Sequence, residues 1–126
     1  MSSRAPHTSS AHPAPAPPAG AWRWVALAFA GALAIYAAGA APTVLEGDSG
    51  ELQAIGLVGG VAHSSGYPLF CLVSRVFALL PGDPAFRINL MSAFFGAAGV
   101  AALVVGALEL GVSGPAALAA AMIFGS

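Results

Sequence analysis

Asp48 and Glu51 stand three positions apart in the run Asp48-Ser49-Gly50-Glu51, and His63 follows in a glycine-rich stretch. On a helix, side chains at i and i+3 are neighbours on one face. Such a pair can present one carboxylate as a general base and the other as a ligand for substrate or for a divalent metal. The base would take a proton from an acceptor hydroxyl while that hydroxyl attacks an activated carbon. A nearby histidine could bind an anionic leaving group or relay a proton. Glu46 is a weaker candidate, because it precedes the start of the helix. The same four residues also have a purely structural reading. An acid followed three places on by Glu is a capping-box pattern, with Asp48 as N-cap and Glu51 reaching back. Leu52, Ile55 and Val58 would then form one apolar face of a short helix lying along a membrane surface, ended by Gly59-Gly60. The motif alone fits the cap at least as well as the chemistry.

The elements that must position these residues are apolar. Of 126 residues 58% are hydrophobic and 7% charged, against about 25% charged in a typical soluble domain. Four arginines and five acids cannot cover the surface of a soluble fold of this size, so lipid is the expected solvent for most of the chain. There is no lysine and the net charge is -1, which excludes the clustered positive charge that nucleic-acid binding needs. The lone cysteine, Cys71, can form no intrachain disulfide and reads as a small buried hydrophobe.

Residues 1–20 are rich in Pro, Ala and Ser and carry His7 and His12. Their composition predicts a disordered cytoplasmic tail. Trp22-Arg23-Trp24 then opens an uncharged run through Leu45. A helix over about 22–41 is long enough to cross a bilayer, with the tryptophans at the headgroup level. A cleaved signal peptide is the rival reading, with Ala38-Gly39-Ala40 as the processing site. The long tail and the apolar sequence that follows weigh against it. After an outer loop over 42–66, further apolar segments are expected at 67–80, 84–110 and 115–126. The second is short for a crossing. It either starts before Tyr67 or follows a loop that dips into the membrane. Asp83-Pro84 reads as an N-cap with Pro at the first helical position. Ser92, Ala93, Gly96, Ala97 and Gly99 make the next segment suited to close helix packing. The last segment is incomplete, so the chain reads as a piece of a longer protein. The expected fold is an all-α, polytopic membrane protein. Arg4 and Arg23 before the first segment, with Arg75 and Arg87 about the 81–87 turn, place both of those regions in the cytoplasm and the acidic loop outside.

The order of these features resembles a known family. Pro42 and Asp48-Ser49-Gly50-Glu51 are followed by His63-x-x-Gly66-Tyr67-Pro68-Leu69, Pro81-Gly82 and Arg87-x-Asn89-x-x-Ser92-Ala93. This resembles the N-terminal part of a bacterial membrane family, formerly of unknown function, related to the eukaryotic transmembrane protein O-mannosyltransferases of the GT-C glycosyltransferase class. The resemblance implies a GT-C-like fold in a bacterial inner membrane and a polyprenyl- or dolichyl-phosphate sugar as donor, with mannosyl-type transfer on the outer face. It implies Asp48 as catalytic base with Glu51 as the second acid, and His63 and Tyr67 as substrate-binding residues. It implies structural roles for Arg87 and Asn89. The family pattern has prolines after the histidine where this chain has Ser64 and Ser65. Besides membrane lipid and the sugar donor, the implied partner is the remainder of the enzyme. Two other readings are a small non-catalytic membrane protein that packs with a partner and, with less support, half of a transporter. The latter lacks a mid-span acid or histidine.

Overall fold

The computed structural model describes residues 20–44, 46–60 and 66–126. The expectations for residues 1–19 of the tail and for His63 lie outside these residues. Five α-helices follow one another: α1 Ala21–Gly39, α2 Asp48–Val58, α3 Pro68–Phe77, α4 Pro84–Glu109 and α5 Gly114–Phe124. This is the all-α architecture expected. Two of the helices, α1 and α4, are long and apolar enough to cross a membrane.

The bundle is built from α1, α4 and α5. Its centre is Ala28 and Ala32 of α1, Ala97, Val100 and Val104 of α4, and Ala117 and Ala121 of α5. The alanines recur at i, i+4 on α1 and α5, so the helices approach closely along small-residue faces. Ala93 and Ala97 are buried on α4, while Ser92 and Gly99 are exposed. A Cβ on Gly96 would stand 3.0 Å from the Tyr36 ring, so this glycine admits the tyrosine. Large apolar residues point the other way: Trp22, Leu27, Phe94, Phe95, Leu103 and Phe124 are exposed. Alanine inside and aromatics outside invert a soluble core and fit helices surrounded by lipid or further helices.

The direction of each helix follows from its contacts. Ala21 and Trp22 line one small cavity with Leu108 and Glu109, and the Asn89 side chain donates to Ala41 O at 2.8 Å. So α1 and α4 are antiparallel. Gly114 meets the Trp24 indole and Gly31 meets Met122, so α5 runs parallel to α1. Tyr36 donates its hydroxyl proton to Gly125 O near the far end.

The segment expected at 67–80 forms a short helix, α3. α3 has ten residues, about 15 Å of helix, half of a hydrocarbon core. It starts at Pro68 and packs beside the first turns of α4. Phe77 lies 5.9 Å from Phe94, centroid to centroid, and the Arg87 guanidinium donates to Ala78 O and, at 2.7 Å, to Leu80 O. Because α4 begins where α1 ends, residues 41–44, 46–60 and 66–83 gather at one end of the α1–α4 pair. The 81–87 turn therefore lies at the same end as the acidic loop, not opposite it. Arg75 and Arg87 stand at the acidic end, Arg23 at the other, and the arginine count no longer separates the two sides.

Candidate functional site

Helix α2 carries the acids. Its N-cap is Gly47, at φ 72° and ψ -148°, and Gly50 N–H donates to Gly47 O at 3.0 Å. The capping position expected for Asp48 is thus taken by a glycine with no side chain. Asp48 is instead the first helical residue. It shares the first turn with Glu51, where the positive end of the helix dipole favours carboxylates. Both acids are exposed, as is Glu46. Gly59 ends the helix at φ 77°, as the Gly59-Gly60 pair predicted.

The buried face of α2 differs from the expected Leu52–Ile55–Val58 stripe. Ile55 is buried, but Val58 is 80% exposed. Gln53 (3% exposed) and Gly56 complete the buried face. The cause is close packing rather than a free interfacial position. A Cβ on Gly56 would lie 2.7 Å from Ile88 Cδ1 and 3.1 Å from Ser74 Cβ, so only glycine lets α2 settle against both α3 and α4. Gln53 Nε2 donates to Asn89 Oδ1 at 2.7 Å, and Asn89 Nδ2 donates to Ala41 O. Asp48 and Gln53 are five residues apart, roughly 140° around the helix, so the acids face away from the bundle that Gln53 grips.

Tyr67 is the N-cap of α3 and half-exposed. Its backbone is left-handed, φ 37° and ψ 56°, uniquely among the described non-glycine residues. Such a conformation costs about 1–3 kcal/mol and persists where surrounding structure holds it. Cys71 N–H donates to Tyr67 O at 3.0 Å, and Cys71 Sγ to Gly66 O at 3.4 Å. Pro68 follows at the first helical position. His63 lies in the interval between α2 and α3 that is outside the described residues. The structure thus puts Asp48 and Glu51 on one turn and sets Tyr67 at the head of the next helix.

Two grooves open beside α4. One, of about 460 Å³, is lined by Leu69, Phe70 and Val73 of α3 and by Met91, Ser92 and Phe95 of α4, and is almost wholly apolar. The other, of about 590 Å³, lies between α1 and α4 beside Tyr36, Asn89 and Ser92. Among the described residues no three of His, Cys, Asp and Glu gather into a metal-holding group. Gln53 is the residue that sequence reasoning missed. Apolar periodicity gives it no signal, because Gln53 lies off the Leu52–Ile55–Val58 spacing.

Residues 48–115, from the start of α2 to the start of α5, match the family model for the protein O-mannosyl-transferase TMEM260 N-terminal domain. The chain belongs to this family. Protein O-mannosyl-transferase TMEM260 of Mus musculus is 38% identical over 117 aligned residues, covering 86% of this chain and 17% of the mouse protein. The protein of the same name from Dictyostelium discoideum is 36% identical over 76 residues, 57% of this chain and 9% of that protein. The chain thus spans less than a fifth of the length of these two relatives. These relatives are eukaryotic, and they extend the expected family link directly to the O-mannosyl-transferases. No solved structure matches the chain.

Proposed function

We propose that this chain is the N-terminal part of a GT-C-type membrane glycosyltransferase that moves a mannosyl-type sugar from a polyprenyl- or dolichyl-phosphate donor to an acceptor hydroxyl. The observation that carries the reading is the acidic first turn of α2, held at one end of the α1–α4–α5 bundle inside the segment that matches the family. Asp48 takes the acceptor O–H proton as the oxygen bonds to the anomeric carbon. The bond from that carbon to the phosphate oxygen breaks, and the lipid phosphate leaves with the bonding pair. Glu51 is the second acid of the site, and His63 and Tyr67 bind the donor. A divalent metal belongs to the same proposal. Asp48 and Glu51 offer it two carboxylates, and the remaining ligands would come from donor phosphate and from elsewhere in the protein. The apolar groove between α3 and α4 suits a hydrocarbon chain entering beside Tyr67. The site faces the outside of a cell membrane, the bacterial inner membrane in the reading from sequence, with the N-terminus in the cytoplasm.

Asp48→Asn in the full-length protein tests this. Gly47 holds the cap and asparagine matches the shape of aspartate, so the variant is expected to keep the fold and remove the base. We expect transfer from dolichyl-phosphate mannose to fall by two orders of magnitude or more, within the range that general-base removal gives. Full transfer by this variant would sink the assignment and favour the non-catalytic reading, in which outward-facing Phe94, Phe95 and Phe124 pack a partner helix.

A further inference from the structure

Three successive residues of α4 reach separate pieces of chain. Arg87 donates to the carbonyls that end α3, Ile88 abuts Gly56 of α2, and Asn89 joins α2 to the residues just past α1. Asn89 uses both ends of its amide. Oδ1 accepts from Gln53 and Nδ2 donates to Ala41 O, so neither end can turn without losing a partner. Gln53 is almost fully buried, and removing Asn89 would take from its Nε2 the hydrogen bond that ties α2 to α4. Losing a hydrogen bond from a buried polar group is costly, which makes this orientation of α2 the preferred one.

The acids stand on the far side of α2 from this bridge. A carboxylate is about 6 Å from its helix axis, so each 10° of rotation about that axis moves it by about 1 Å. Displacement of that size at a reacting group costs on the order of 100-fold in rate. We infer that Gln53 and Asn89 are a pair of positioning residues that fix the rotation of α2 and thereby set where Asp48 and Glu51 stand. The inference rests on the catalytic reading of those acids. Gly56 and Ile88 set how close α2 comes, and the amide bridge sets which way it faces. Neither Gln53 nor Asn89 touches substrate in this scheme.

The test uses the full-length protein in lipid nanodiscs, cysteine-free except for spin labels introduced at exposed Ala54 of α2 and Ala102 of α4. Asn89→Leu and Gln53→Leu are each expected to broaden the α2–α4 distance distribution. Each should also lower kcat with dolichyl-phosphate mannose by 10- to 100-fold while leaving the donor KM within about twofold. Exchanging the two side chains, Gln53→Asn with Asn89→Gln, keeps both amides and the summed length. It should restore the narrow distribution and most of kcat. If either leucine variant fails to insert, the exchange variant and Asn89→Ala carry the same measurement. A native distance distribution in the leucine variants overturns the inference whatever the activity. So does a broadened distribution with unchanged kcat. Asp48→Asn, run alongside, is expected to lose transfer with a native distance distribution. Full activity in that variant instead overturns the catalytic reading, and the positioning role with it, by a result independent of the bridge.

Discussion

Tyr67 occupies a backbone conformation that glycine would hold at lower cost, in front of a proline that further restricts it. Replacing it with glycine relaxes the left-handed strain, by about 1 kcal/mol or more, which offsets the contacts the half-exposed side chain gives up. Tyr67→Gly is therefore expected to leave the thermal midpoint in detergent unchanged or higher, while raising the KM for dolichyl-phosphate mannose. A midpoint lowered by several degrees would show that the side chain serves the fold instead. At this scale the sequence was legible in part. Asp48 and Glu51 were picked out by type and spacing, and both do share a helical turn. Their structural role was misplaced by one residue, because a glycine in an unusual conformation can end the loop and leave the acid inside the helix. Gln53 was invisible to the same reasoning. Periodicity assigns faces by apolar residues, whereas here a buried amide and a glycine decided which face turned inward.

The helices differ in how much of their form is local. Asp83-Pro84 was readable because capping is a short-range device. Asp83 Oδ1 accepts from Ala85 N–H at 2.9 Å and from Phe86 N–H at 3.1 Å, with Pro84 where no donor is needed. Asp83→Ala should destabilise the chain by about 1 kcal/mol, measured by denaturant titration in detergent, and Asp83→Asn by much less. Gly59 was equally readable as a stop, but its packing was not. The Arg75 guanidinium lies where a side chain at position 59 would stand, close to the negative end of α2. Gly59→Ala combines a positive φ with that clash, so it is expected to cost more than the ~1 kcal/mol of the backbone term alone. Gly59→Ala with Arg75→Ala should recover the steric share, and equal stability of the single and double variants would refute the contact. α3 shows the limit of hydropathy. A fourteen-residue apolar run from Tyr67 to Leu80 is compatible with a deep helix or a packed one. What selected the packed one was tertiary: Ser74 against Gly56, Phe77 against Phe94, and Arg87 closing the last carbonyls.

For the molecule as a whole, the packing of α3 puts the 81–87 turn at the same end of the α1–α4 pair as α2. Counting arginines treated every apolar run as a crossing, which put the 42–66 loop and the 81–87 turn on opposite faces. In the structure α1 and α4 are the helices long and apolar enough to cross, and α2 and α3 both lie at the end where Asn89 meets Ala41. The loop after α4 returns to the level of Trp24, since Gly114 abuts that indole. Single cysteines placed at Ser49, Gly82 and Val112, all exposed, separate the two arrangements when Cys71 is replaced by serine. In sealed vesicles an impermeant maleimide should label Ser49→Cys and Gly82→Cys from one side and Val112→Cys only from the other. Labelling of Gly82→Cys together with Val112→Cys would restore α3 as a crossing helix and remove the common platform for α2 and α3. The side from which Ser49→Cys reacts then supplies what the arginines no longer do. Reaction from outside right-side-out vesicles puts Asp48 on the face where a lipid-phosphate sugar is proposed to be used. Reaction only from the cytoplasmic side would require that donor to be met there, and would overturn the proposed orientation of transfer while leaving the fold intact.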